Sequence, residues 1–448
     1  MLNKALSLPL LCLALCATAT LAQERTPLGA IAAGNADGSI PAWTGGLAKT
    51  ALTEGYLQNP YAEDQPLFTV SAANLQEHSQ HLTAGQQALL EKYPESYRLP
   101  VYPSRRSASY PDYVYQALDT NRSSATLVDN GKRQGVQNAR ITSPFPEPEN
   151  GLEAIWNHIM RWRGILVERQ TSWVPVTASG RYRPIILHEE IAFPYASPQF
   201  VDASEDTSNS VPEYQRAMVV TKQKFLSPGR LSGNGSLVFD TFDYTRHERV
   251  RWLYPVELKR VVRMPRQELD QPLLSSEGII RLDDTDMFRG STENFEWELA
   301  GPMEKLVPYN AYGLVDRQLK FADLIGRFHL KPKHTRYELH RVWEVTATAK
   351  TERRGGYSKR VFYLDEDSWQ IVLSEKYDAE GELSNVAEAH TLNYYSVPVV
   401  YPTLQAHYSL DDGRFMIQGI NNMLPPPVWS KQINPRNFSP NALLDYLR

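Results

Sequence analysis

Two short acidic clusters contain the residues whose types and spacing best suit chemistry. One is "DDTDMF", with Asp283, Asp284 and Asp286, and the other is "DEDSW", with Asp365 and Asp367. Paired carboxylates of this kind serve glycosidases as general acid and base. Both clusters lie between strand-like runs, however, where Asp and Ser ordinarily form turns. We therefore interpret them as turns and expect no catalytic residue.

The histidines offer one group to consider as metal ligands. The chain has ten histidines, and the cluster to weigh as metal ligands is His329 and His334 in "HLKPKH", with His340 nearby. The sequence has no H-E-x-x-H motif, and a proline separates the first two. Because zinc sites need ligands at regular spacing, we expect no metal and no cofactor.

A glycine-rich stretch near the front, "GNADGSIPAWTGGL", matches no phosphate-binding loop, because it has neither G-x-x-x-x-G-K-[ST] nor G-x-G-x-x-G. Its glycines favour turns with positive φ. Trp43 is its one large apolar side chain. We interpret the stretch as a structural arm that Trp43 anchors. No G-x-S-x-G nucleophile elbow occurs anywhere in the chain.

The first 22 residues are typical of a cleaved secretory signal peptide. They contain one positive charge at Lys4, an apolar run and small residues before a cleavage site behind Ala22. Cys12 and Cys16 both follow a leucine, which does not suit lipidation, so we expect soluble export. These are the only cysteines, and the mature chain would therefore form no disulfide.

Charge and hydropathy limit the partners. Lys and Arg number 47 against 51 Asp and Glu, a formal charge of −4. This balance argues against nucleic acid as a partner. After the signal peptide no apolar run approaches the roughly 18 residues that span a membrane, so we expect at most peripheral contact with a bilayer.

The pattern of elements predicts an arm followed by one domain. Residues 23–70 are rich in Pro, Gly and small polar residues, which predicts an extended N-terminal arm, and residues 71–448 would form the domain. The clearest helix is "PENGLEAIWNHIMRWRG", because its apolar residues recur at helical spacing. These residues are Leu152, Ile155, Trp156, Ile159 and Met160.

Beyond Gly164 the apolar residues alternate with polar ones, as in "ERVRWLYP", "ENFEWEL", "HRVWEVTATA" and "SWQIVL". Such runs, joined by turns, predict a mainly β protein of the α+β class, with a large curved antiparallel sheet or incomplete barrel. One face of these strands is rich in aromatic rings, which would either fill a core or line a cavity. We name eight residues of that face as candidate ligand contacts: Trp252, Tyr254, Phe295, Trp297, Trp343, Val345, Trp369 and Ile371.

Several stretches together resemble an exported proteobacterial family, domain of unknown function 1329. They are "PLGAIAAGNADGSIPAWTGGL", "PFPEPENGLEAIWNHIMRWRG", "DDTDMFRGSTENFEWELAGPMEKLVPYNAY", "RYELHRVWEVTATAK" and "KRVFYLDEDSWQIV". The resemblance covers nearly the whole mature chain and departs only in the final "NALLDYLR". It implies a fold like that of periplasmic lipoprotein carriers, with helices closing an apolar cavity. It also implies an RND-type exporter and an outer-membrane protein as partners.

These observations favour a periplasmic carrier of a hydrophobic molecule, such as a lipid or lipid-linked cargo, working with an envelope exporter. The first alternative is an accessory protein of an RND-type exporter whose interior is solid and whose surface does the work. The second is a hydrolase of envelope lipids or glycans that would use one of the acidic clusters.

Overall fold

The computed structural model has helices and strands over most of the chain. The signal peptide predicted for residues 1–22 lies outside the described residues. Within the described part, no helix has the length and apolar character that crossing a membrane requires. The described residues are 24–52, 55–198, 216–265, 269–351 and 356–448.

Strands make up most of the regular structure in these ranges. Their bounds are β1 Phe68–Val70, β2 Leu99–Val101, β3 Thr126–Asp129, β4 Gln134–Gln137, β5 Leu166–Val176, β6 Ile185–Ala192, β7 Ala217–Ser227, β8 Gly235–Thr241, β9 Val250–Tyr254, β10 Val262–Arg263, β11 Phe295–Pro308, β12 Tyr337–Ala349, β13 Lys359–Asp365, β14 Ile371–Tyr377, β15 Leu383–Asn393, β16 Val400–Ser409, β17 Phe415–Ile420 and β18 Val428–Ser430. The α-helices are α1 Leu75–His78, α2 Ala84–Lys92, α3 Asp112–Ser124, α4 Gly151–Met160, α5 Phe321–Leu324 and α6 Pro440–Leu447.

Sixteen of the described strands belong to one sheet, which is not closed into a barrel. Its order is β1-β2-β12-β13-β14-β15-β16-β17-β5-β6-β7-β8-β9-β10, with β11 added beside β12 and β18 beside β5. Every pairing is antiparallel except the single contact between β2 and β12. The predicted α+β class and the large, incompletely closed sheet are confirmed.

The alternation of apolar and polar residues explains strand β11, which lies beside the core. In β11, Phe295 is buried and Trp297 half-buried, whereas Glu296 and Glu298 are exposed. The strand pairs with β12 over its whole length, with a bulge between Ala300 and Pro302. Successive side chains of a strand point to opposite faces, so this alternation places the aromatic rings on the inner face.

Helix α4 covers the inner face of β11 and β12. Its N-cap is Asn150, whose side-chain oxygen accepts a hydrogen bond from the Glu153 backbone N–H at 3.0 Å. Ile155 and Trp156 are at most 1% exposed. They join a single cluster that includes Val345. The apolar stripe of the predicted helix therefore lies in the core.

The segment before β1, which we call the arm, has no named helix or strand in the described ranges. Between Glu24 and Leu67, in the described ranges, it forms turns and isolated bridges. Trp43 makes an edge-on contact with Tyr115, at 6.4 Å between ring centroids. Gly46 has φ 75°, and a Cβ there would lie 2.0 Å from the Ala108 carbonyl oxygen. Only glycine fits this approach, because the space and the positive φ both exclude a side chain.

Candidate functional site

A cavity of about 670 Å³ lies on one face of the sheet, over strands β5 to β9 and β16 to β17. The segment from Leu269 to Glu293, which connects β10 to β11, contributes residues to its opposite wall, and we call it the roof segment. Helix α6 packs on the other face of β7 to β9, where Leu443 and Leu447 contact the sheet. The two faces of these strands thus have different neighbours.

A row of hydrogen-bonded polar side chains crosses the cavity wall. Arg169, Glu189, Gln223 and Ser236 are direct cross-strand partners on β5, β6, β7 and β8. Arg169 pairs with the Glu189 carboxylate at 2.8 Å, and Gln223 donates to that carboxylate at 2.7 Å. Ser236 donates to Gln223 at 3.2 Å. We call these four residues the polar row.

Apolar side chains flank the polar row along the same strands. Trp173, Ile185 and Phe225 line the cavity on one side of it, and Ile191 and Val238 line it on the other. Because residues two apart on a strand share a face, the sheet register itself produces this arrangement. The wall therefore offers apolar surface on both sides of a charged and hydrogen-bonded centre.

Arginines dominate the part of the cavity near β9. Arg249 and Arg289 both pair with Asp240, at 3.0 and 2.5 Å. Burial, together with the neighbouring Arg249, lowers the pKa of Arg251. This part of the wall carries more positive than negative charge among its lining residues, which favours anionic groups in a ligand.

The acidic cluster "DDTDMF" fixes the roof segment to the rest of the molecule. Asp286 pairs with Arg161 and Arg163, which follow α4, at 2.5 Å each. Burial opposes ionisation of Asp286, but these two guanidinium groups prevail and lower the pKa of its carboxyl. His158 of α4 contacts the Asp286 carbonyl oxygen at 2.9 Å, and burial holds the pKa of this histidine well below its usual range.

The other two carboxylates of this cluster reach strands β13 and β14. Asp283 pairs with Arg360 at 2.7 Å, and Asp284 pairs with Lys376 at 2.8 Å. Burial raises the pKa of Asp283 to about 6. Against the same burial, Lys376 and Arg360 lower the pKa of Asp284. The three carboxylates are thus bound to cations and hold a segment in place.

The two predicted ligand contacts on β9 lie on its helix-facing side. Trp252 packs with Phe438 and Leu443 under α6. Tyr254 belongs to the same group and also lines the cavity. The arginines of "ERVRWLYP" alternate with these rings, and they line the cavity instead.

The other six predicted contacts belong to one buried cluster. Trp343 stacks on Trp369 with ring centroids 5.9 Å apart, and Trp297 contacts Phe288 at 5.5 Å. These rings pack against protein side chains and are not among the residues that line the cavity. Their role as ligand contacts stays a prediction. The six are Phe295, Trp297, Trp343, Val345, Trp369 and Ile371.

The second acidic cluster, "DEDSW", forms a buried network beneath the arm. Arg106 pairs with Asp367 at 2.7 Å and with Glu366 at 3.2 Å. The same guanidinium donates to the Ala32 carbonyl oxygen at 3.2 Å. Burial and the neighbouring Asp367 raise the pKa of Glu366 to about 7. Sequence patterns gave no signal for this network, because its members lie 260 residues apart.

The same network contains the set of side chains best placed for a metal in the described ranges. His340, Asp365 and Asp367 each offer a ligand atom, and these atoms lie within 4.8 Å of one another. Each is already engaged: His340 with Glu338 at 3.0 Å, Asp365 with the Tyr309 hydroxyl at 3.1 Å and Asp367 with Arg106. His329 and His334, weighed in the sequence, are not part of this set.

Comparison with known proteins decides the family. The model of the family described as "Protein of unknown function (DUF1329)" matches residues 69–444. The chain belongs to this family. An uncharacterized protein of Pseudomonas aeruginosa is 40% identical over 407 residues, which cover 90% of this chain and 87% of the relative. The resemblance found in the sequence is confirmed.

Solved structures show weaker likeness to this DUF1329 protein. A domain from Vibrio parahaemolyticus, assigned by inference to outer membrane lipoprotein sorting, has a TM-score of 0.43 and 14% identity, covering 66% of this chain and 98% of that chain. A DUF1329 family protein from Desulfovibrio piger has a TM-score of 0.41 and 12% identity, covering 62% of this chain and 92% of that chain. None of these relatives is described as an enzyme.

Proposed function

We propose that this protein is a periplasmic carrier that binds a lipid or another amphiphilic molecule in the cavity beneath the roof segment. The cavity carries the proposal. Its volume of about 670 Å³ lies within the roughly 300–1,000 Å³ of small-molecule sites in proteins. An amphiphile fits better than a pure hydrocarbon, because the polar row lies between the apolar parts of the wall.

Burial of hydrocarbon is sufficient to drive such binding. Each CH₂ group removed from water contributes about 0.8 kcal/mol, so an acyl chain of about sixteen carbons gains on the order of 12 kcal/mol before the costs of ordering. A carrier needs wall area and a place for the headgroup, and it needs no reactive side chain. The acidic clusters support this view, because their carboxylates are bound to arginine and lysine.

The first experiment fills the cavity by mutation. Leu253 of β9 lines the cavity, and Leu253→Trp adds a ring there. We expect the wild type to take up the apolar fluorescent probe N-phenyl-1-naphthylamine and the variant to bind it at least about tenfold more weakly. The measurement is a fluorescence titration.

The matched control is Val428→Trp, because Val428 is 60% exposed and is not among the lining residues. The control should bind the probe like the wild type. Absence of uptake by the wild type, or equal uptake by the two variants, would contradict a carrier.

One observation favours the accessory protein of an RND-type exporter as the second candidate. The stacked rings of Trp343 and Trp369 belong to a filled core, which is the solid interior that this function requires. The probe titration separates the two candidates, since a protein that works through its surface takes up no probe. Partnership with an exporter belongs to both proposals and is tested by co-purification from cross-linked cells.

A further inference from the structure

Three turns lie together at one end of the sheet. They are residues 177–184 between β5 and β6, residues 226–234, which comprise the last two residues of β7 and its connection to β8, and residues 255–260 after β9. The antiparallel register places them side by side, because Trp173 pairs with Ile185 and Gly235 pairs with Tyr254. We call these three turns the basic edge.

The charge of the basic edge is opposite to that of the whole chain. The three turns contain five basic residues and one acidic residue, Glu257, although the chain has a formal charge of −4. Helix α6 ends nearby, where its Asp445 and Arg448 pair with each other at 3.5 Å and add no net charge. All five basic residues are exposed: Arg181, Arg183, Arg230, Lys259 and Arg260.

Apolar side chains are exposed among these charges. Leu258 is 55% exposed, Leu226 is 37% exposed and Val256 is 36% exposed. The backbone N–H of Val256 donates to the Asn234 side-chain oxygen at 3.1 Å, which ties the second turn to the third. A turn from Pro255, closed by the Leu258 N–H at 3.1 Å, orders the chain around the two apolar residues. The apolar surface is therefore held by fixed backbone.

The basic edge is continuous with the cavity. Each of the three turns contributes to the cavity lining, for example with Arg183, Arg230 and Pro255. A surface that contacts this edge would therefore lie beside the cavity wall, where a cargo molecule has a short path to the polar row.

We propose that the basic edge docks onto the surface of an anionic lipid bilayer. Cations attract acidic headgroups, and exposed Leu and Val side chains insert at the boundary between headgroups and acyl chains. The five positive charges favour acidic phospholipid over a zwitterionic surface. Docking would bring the carrier to the membrane that supplies or receives its cargo. This purpose rests on the proposed function, whereas the docking itself does not.

Vesicle binding tests the docking. The wild type should co-sediment with vesicles of phosphatidylglycerol and phosphatidylcholine in equal parts, but not with phosphatidylcholine alone, and added salt should weaken the binding. Each lost cation near an acidic surface weakens partitioning about fivefold. We therefore expect Lys259→Ser/Arg260→Ser to lower the partition coefficient by about 25-fold, and Leu258→Ser to lower it several-fold.

Two matched variants serve as controls. Val428→Ser removes an apolar residue that is 60% exposed elsewhere, and Arg122→Ser removes a cation from the exposed surface of α3. Both should bind vesicles like the wild type. Equal binding by all variants, or no binding by the wild type to acidic vesicles, would overturn the docking and leave a protein partner as the occupant of this edge.

Probe uptake distinguishes this proposal from the proposed function. Leu258, Lys259 and Arg260 do not line the cavity, so their variants should take up N-phenyl-1-naphthylamine like the wild type. Normal uptake with lost vesicle binding supports the docking surface. Vesicle binding without uptake would contradict the carrier and leave the docking intact.

Discussion

His407 of β16 shows how one buried side chain can make the stability of the fold depend on pH. It is 1% exposed, and neither ring nitrogen has a hydrogen-bond partner in the described ranges. Burial, with the nearby Lys376 charge, lowers the pKa of His407 to about 3. The folded protein therefore keeps this imidazole neutral at a pH where the unfolded chain binds a proton.

This histidine should make folding sensitive to acid. Its folded pKa lies below the unfolded value of about 6.5, so the stability it contributes is present above pH 6.5 and lost as the pH falls toward 3. His407→Gln should remove this dependence. We expect the stability advantage of the wild type over the variant to shrink by about 1–2 kcal/mol between about pH 7.5 and about pH 5.

Urea unfolding at the two pH values measures the change. The control is His78→Gln, because His78 is half exposed and stacks on Phe68 at the surface. An equal pH dependence in wild type and His407→Gln would show that folding does not lower the pKa of this imidazole.

At the level of elements, ion pairs hold the roof segment to the residues that directly follow α4. Asp286 and Met287 both have positive φ, 56° and 65°, and the Asp286 carboxylate pairs with Arg161 and Arg163. The hydrophobic contact of Phe288 with Trp297 follows immediately in the chain. The segment is thus fixed at one end by charge and packing.

Asp286→Asn tests this attachment. Asn tolerates positive φ, so the change removes the negative charge without new backbone strain. It leaves two buried guanidinium groups without a counter-charge, and we expect a loss of about 3–5 kcal/mol in the free energy of unfolding. Protease cleavage within residues 269–294 should become faster.

The comparison variant is Asp445→Asn, whose ion pair with Arg448 involves side chains 77% and 82% exposed. Exposed pairs contribute about 0–1 kcal/mol, so this variant should unfold nearly like the wild type. Similar losses in both variants would contradict the anchoring of the roof segment.

At the scale of the whole molecule, the N-terminal arm is joined to the sheet by the network around Arg106. This side chain reaches Asp367, Glu366 and the arm carbonyls of Ala32 and Pro41. Arg106→Gln removes the cation from two buried carboxylates. We expect a loss of about 3–5 kcal/mol in the free energy of unfolding, because Asp367 loses its counter-charge, whereas Glu366 keeps its ion pair with Arg341 at 3.1 Å.

Limited trypsin digestion measures directly whether the arm stays attached to the sheet. In Arg106→Gln, cleavage at Lys49 should precede cleavage in the sheet, since the arm loses its attachment. Arg448→Gln is the control, because its ion pair with Asp445 is exposed. Cleavage of the arm at the wild-type rate would mean that the glycine turns and Trp43 hold it without Arg106.

Some local elements were predictable because their causes are local. The alternation of Phe295, Glu296 and Trp297 predicted a strand with an aromatic inner face, and the structure has β11 there. The apolar spacing around Trp156 predicted a helix, and α4 is that helix. The family was also recognisable, because its motifs are contiguous.

The partners of the acidic clusters were not predictable. Asp286 finds Arg161 and Arg163 at a separation of 123 to 125 residues, and Asp367 finds Arg106 at 261. A turn sequence rich in Asp is usually exposed. The sequence alone does not show which Arg or Lys side chains lie beside these carboxylates in the fold. Long-range folding turned these clusters into buried anchors.

The sequence by itself determined the class, the family and the two faces of alternating strands such as β9 and β11, since these follow from composition, motifs and period two. Only the tertiary structure decided which elements pack against each face. On β9 the alternation separates Arg251 from Trp252, but only the position of α6 puts the tryptophan under a helix and the arginine beside the cavity. The physical reason is that alternation fixes which side chains share a face, whereas a face is buried or open according to elements distant in sequence.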